Sequence, residues 1–184
     1  VLKDIPAGNE YAYLETPVTK VLVAPYDAKQ IYMAQISNLD KKYDPAIEPI
    51  RALYDEYFGG GMNSIVFQEM RETRGLAYSA WASIMPPSYL KYPYVLRTQI
   101  ATQNDKMIDA VTTFNDIINN MPESEAAFKL AKDGLTNRLR TERIIKGDII
   151  WSYINAQDLG QNVDPRIKLY NDIQNLSLIH ISEP

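Results

Sequence analysis

Read for the spacing of its apolar side chains, the chain divides into strands first and helices afterwards. Val21-Leu22-Val23-Ala24 is a short apolar run halted by Pro25. Gln30-Ile31-Tyr32-Met33-Ala34-Gln35-Ile36-Ser37 alternates loosely between polar turns, which predicts a strand. Asp44 followed by Pro45 is the cap-then-proline opening of a helix, and Ile50, Leu53, Tyr54 and Tyr57 supply its helical stripe up to Gly59-Gly60-Gly61. A second helix is expected over about 63–73, capped by Asn63 or Ser64 and closed by Gly75. Residues 77–86 and 92–101 read as strands joined across Pro86-Pro87 and a tyrosine-rich turn, hence as an antiparallel hairpin.

Beyond the hairpin the pattern is helical. Asn104 is positioned to cap a helix with the stripe Met107, Val111, Phe114, Ile118, and Pro122 interrupts it. A further helix runs from Ser124 to about Arg143 with Ala127, Ala131, Leu135 and Leu139 inward. Two more follow, Asp148 to Leu159 ended by Gly160, and Arg166 to about Asn175 opened by Asp164-Pro165. The expected fold class is therefore α+β, a mixed or antiparallel sheet with helices packed on one face, and truncated.

Three stretches are expected along the chain. Residues 1–20, broken by Pro6, Gly8, Asn9 and Pro17, read as a connector from a preceding domain, and the start Val1-Leu2-Lys3-Asp4 suggests a piece of a longer protein. Residues 21–175 form the domain. Leu176-Ser177-Leu178-Ile179-His180-Ile181-Ser182-Glu183-Pro184 resembles the in-frame translation of a transposase adapter used in sequencing libraries, and is set apart from the fold on that ground.

Composition narrows the chemistry. The 184 residues suffice for one sizeable core, and 46% hydrophobic with 23% charged residues is ordinary for a globular domain. A formal charge of −4 gives no electrostatic case for nucleic acid, and no stretch of roughly 18 apolar residues suggests a membrane span. With no cysteine there is no disulfide framework or thiolate site, and the compartment stays open between cytoplasm and periplasm. The single histidine, His180, falls inside the adapter-like tail, so neither a histidine-pair zinc site nor a histidine triad is expected in the domain.

The most informative block is Tyr57-Phe58-Gly59-Gly60-Gly61-Met62 followed by Phe67-Gln68-Glu69-Met70-Arg71-Glu72-Thr73-Arg74-Gly75-Leu76-Ala77-Tyr78. Three consecutive glycines allow a sharp turn or a close approach to another backbone, and no Gly-Lys-Ser/Thr follows that would make a phosphate loop. Together with the order of elements over about 21–175, this block resembles the pitrilysin/insulinase family of zinc metallopeptidases, specifically a non-zinc domain of the C-terminal half. Members carry an inverted His-x-x-Glu-His motif that binds zinc, and this sequence lacks it. The resemblance thus implies that zinc sits in an N-terminal half of the parent enzyme and that this chain alone binds no cofactor and hydrolyses nothing.

The resemblance also implies a role for two residues. Family members of this kind present an Arg and a Tyr from the C-terminal half to the substrate backbone, and Arg71 and Tyr78 match that pair in type, context and seven-residue spacing. The implied partners are a peptide substrate and the zinc-bearing half or subunit. On residue chemistry alone, Arg71 could instead be a solvated helix residue paired with Glu72, Glu69 or Asp55, and Tyr78 one of 13 tyrosines on a half-buried strand face. Gln30 to Ser37 could offer an edge to a peptide or lie centrally in the sheet. A second functional reading is a non-catalytic scaffold or binding subunit of the same fold, partnered by a separate zinc-bearing subunit.

Overall fold

The structure, a computed structural model, describes residues 16–161 and 164–182, so residues 1–15 of the expected connector lie outside it. Three strands make one antiparallel sheet: β1 (Gln30–Lys42), β2 (Ser79–Met85) and β3 (Pro93–Gln103), in the order β1-β3-β2. The hairpin expected at 77–86 and 92–101 is β2–β3, paired from Ser79 opposite Ala101 to Met85 opposite Val95. The strand at 30–37 is an edge strand rather than a central one, and it runs on to Lys42. Asp40 makes that extension by adopting a left-handed φ of 54°, its amide donating to the Asn38 side chain, where the register with β3 shifts.

Helices cover one face of the sheet. They are α1 (Glu48–Phe58), α2 (Ile65–Phe67), α3 (Met107–Asn119), α4 (Glu125–Thr141), α5 (Ile149–Asp158), α6 (Arg166–Gln174) and the short α7 (Ile179–Ser182). Leu53, Tyr57 and Phe58 of α1 meet Ala110, Phe114 and Ile117 of α3 and Phe128, Ala131 and Leu135 of α4 over Ala80, Ala82 and Ile100 of the sheet. Alternation along β1 packs Met33 against this core, half-buries Ile31 on the same face and leaves Tyr32 and Ile36 exposed on the other.

Several ends differ from the sequence expectation for identifiable reasons. Asp44-Pro45 makes a turn, with Asp44 Oδ1 accepting from the Ala46 amide, and α1 starts at Glu48 with Pro49 in its first turn. Asn104 does not cap α3. It opens a 3₁₀ turn, Asn104–Lys106, and its amide reaches the Ala28 carbonyl instead. In α3 the fully buried positions are Ala110, Phe114 and Ile117, with Val111 and Ile118 half-buried beside them. Ser124, where the sequence places the start of this helix, caps α4, accepting from the Ala127 amide at 3.2 Å.

Leu178 and Ile181 of the tail pack into the core beside Ile173 of α6. Two apolar side chains at helical spacing seek such a groove whatever their origin, so the packing does not bear on where the tail comes from. In contrast α5 buries nothing, and Ile150, Trp151 and Tyr153 stand more than half exposed. No helix among the described residues is long and apolar enough to cross a membrane.

Candidate functional site

The glycine run and the helix after it set up one end of the sheet. α1 stops at Gly59, and Ser64, itself buried, caps α2 by accepting from the Phe67 amide while its hydroxyl donates to the Gly61 carbonyl. The helix expected over 63–73 is α for its first turn only. From Gln68 to Thr73 it widens into a π-turn. Gly75, at φ 58°, then reverses the chain in the left-handed region that favours glycine, and the amides of Leu76 and Ala77 both donate to the Met70 carbonyl. Tyr78 enters the sheet with its amide on the Ala101 carbonyl at 2.8 Å.

This geometry brings Arg71 and Tyr78 together. The Arg71 guanidinium lies 5.6 Å from the centre of the Tyr78 ring and 5.0 Å from that of Phe67, close enough for cation–π attraction. Of the three carboxylates that could pair with Arg71, only Glu72 approaches, at 3.6 Å from Nε. Glu69 pairs with Arg74, and Asp55 with Arg51. Among the described residues no hydrogen bond engages the terminal nitrogens of Arg71 or the hydroxyl of Tyr78. Tyr78 is 69% exposed rather than half-buried on a strand face. A cation and a phenol, held side by side with free donors, can bind carbonyl or anionic oxygen.

Both residues border an open pocket of about 260 Å³ that also takes in Gln30, Gln103 and Lys106. Gln30 and Gln103 are directly opposite in the β1–β3 register, and Lys106 anchors its Nζ on the Gly75 carbonyl at 3.0 Å. Sequence spacing gave no access to Gln103 and Lys106, because only the strand pairing and the 3₁₀ turn carry them to Arg71. No group of His, Cys, Asp and Glu side chains among the described residues is arranged to hold a metal ion, so the donor set does not fit zinc.

The sequence model of the peptidase M16 inactive domain matches residues 12–135. The chain belongs to that family. The pitrilysin/insulinase resemblance and the α+β fold are thereby borne out, with this chain the non-zinc, inactive domain. Similar solved structures include a peptidase M16 inactive domain from Pseudomonas fluorescens, at TM-score 0.66 and 16% identity over 85% of this chain and 37% of that one. The inactive peptidase domain of a Bordetella parapertussis protein assigned as a zinc protease aligns at TM-score 0.59 and 12% identity, over 83% of this chain and 82% of that one. A chain of Candida albicans complex III2 aligns at TM-score 0.58 and 12% identity, over 85% of this chain and 39% of that one. No curated protein matches the chain in sequence.

Proposed function

We propose that this M16 inactive domain is the non-zinc part of a zinc metalloendopeptidase, walling an enclosed chamber in which peptides are cleaved and holding the substrate with Arg71 and Tyr78. The observation that carries the reading is the pair itself: an arginine and a tyrosine stacked at an open pocket, both with donors free. Arg71 would donate to substrate backbone carbonyls, for which its fixed, permanently charged fork is suited. The Tyr78 hydroxyl would donate to the scissile carbonyl oxygen as it gains negative charge, a contribution of about 3–4 kcal/mol where such donors are pre-positioned. Zinc, held by another half or subunit, supplies the activated water.

The test is kinetic, in the parent enzyme. Arg71→Ala and Tyr78→Phe lower turnover while zinc content holds. Unchanged kinetics in both variants would remove the clamp from the reading. The fold likeness to complex III2 favours a second reading, a scaffold subunit beside a separate zinc-bearing partner. A His-x-x-Glu-His motif upstream in the same reading frame supports the fused enzyme, and one found only in a neighbouring gene supports the partnered subunit.

A further inference from the structure

Lys106 gives the Arg71–Tyr78 pocket a second cation and a chemical preference that the clamp alone does not have. The pocket wall carries Arg71 and Lys106, the carboxamides of Gln30 and Gln103, and no carboxylate. Lys106 spends one of its donors on the Gly75 carbonyl, which fixes the ammonium at the turn and leaves two donors. Arg71 is fixed in the same way by the rings of Phe67 and Tyr78, and its ion pair with Glu72 is long, at 3.6 Å through Nε. Two positioned cations beside two amides match a bidentate anion of carboxylate size better than a neutral carbonyl.

We propose that this pocket binds a carboxylate of the peptide substrate, either its free C-terminus or an Asp/Glu side chain, and so sets which peptides the clamp prefers. The inference rests on the substrate-holding reading of Arg71 and Tyr78 but is read out by binding, not by turnover.

The experiment titrates this chain with four fluorescein-labelled peptides of one sequence, ending in carboxylate or amide and carrying one Glu or Gln. Carboxylate forms should bind about tenfold tighter, as charge-assisted hydrogen bonds do, and the margin should shrink in high salt. A preference confined to the free-acid ends assigns the C-terminus; one confined to Glu assigns the side chain. Lys106→Gln should remove the preference, and Gln30→Glu, which keeps the Lys106 anchor, should weaken the acidic peptides while sparing the neutral ones. Tyr78→Phe keeps both cations and should keep the preference, so a failed clamp and a failed anion pocket give different results. Equal binding of all four peptides, no binding by any, or an unaltered preference in both charge variants overturns the proposal.

Discussion

A Cβ on Gly59 would stand 2.2 Å from the carbonyl oxygen of Ala82 and 2.5 Å from its amide nitrogen. The end of α1 therefore lies directly on the backbone of β2, at a distance only glycine permits. Gly61, two residues on, faces open space. Gly59→Ala should cost about 3 kcal/mol through forced separation of helix and strand, whereas Gly61→Ala should be neutral or stabilising by about 0.5 kcal/mol. Urea denaturation of both variants checks the pair, and equal effects would contradict the close approach.

Asp55 ties the same helix to the outer edge of β2. Its carboxylate accepts from the Ile84 amide at 2.7 Å, the Ser83 hydroxyl at 3.0 Å and the Arg51 guanidinium at 2.8 Å. Asp55→Ala should cost about 1–3 kcal/mol, because it leaves the Ile84 amide and the Ser83 hydroxyl without their acceptor while Arg51 keeps its pairing with Glu48.

Burial outweighs these partners and raises the Asp55 pKa above the usual carboxylate value of 3.8. The folded state then holds this proton more tightly than the unfolded chain. Its contribution to stability is present below that value and is lost as pH rises through the folded pKa. Asp55→Asn should accordingly flatten the decline in stability just above pH 3.8, measured by denaturant unfolding across that window.

Tyr57 staples the α3–α4 connection. Its hydroxyl donates to the Pro122 carbonyl at 2.7 Å and accepts from the Ser124 amide at 3.0 Å. Tyr57→Phe should cost about 1–2 kcal/mol and speed hydrogen exchange at the Ser124 amide, with the helices themselves retained in circular dichroism.

Arg71→Ala and Tyr78→Phe should leave the fold nearly untouched, each within about 1 kcal/mol of the parent in thermal or urea unfolding, because the pair is exposed and its mutual attraction is modest. Stability lost well beyond that would make the pair structural and weaken its assignment to substrate.

Much of this arrangement was legible in the sequence because it is local. The stripe Leu53, Tyr57, the helix beginning at Ser124, the β2–β3 hairpin and the glycine block all announce themselves by spacing within a few residues. The 3₁₀ turn ahead of α3, the bulge at Asp40 and the two cations on the pocket depend on contacts made after the chain folds. Periodicity carries no trace of those. The tail at 176–184 is a separate matter: we propose that its adapter-like sequence is foreign, and sequencing the gene across codon 175 should read into a different continuation.

The π-turn at Gln68–Thr73 holds one residue more per turn than an α-helix would. Because five α-helical residues sweep roughly the same angle as six in a π-turn, the wider turn takes up one residue while leaving the segments on either side in the orientation an α-helix would give them. The run from Gln68 to the left-handed Gly75 can thus absorb a one-residue change in length before the sheet begins at Ser79.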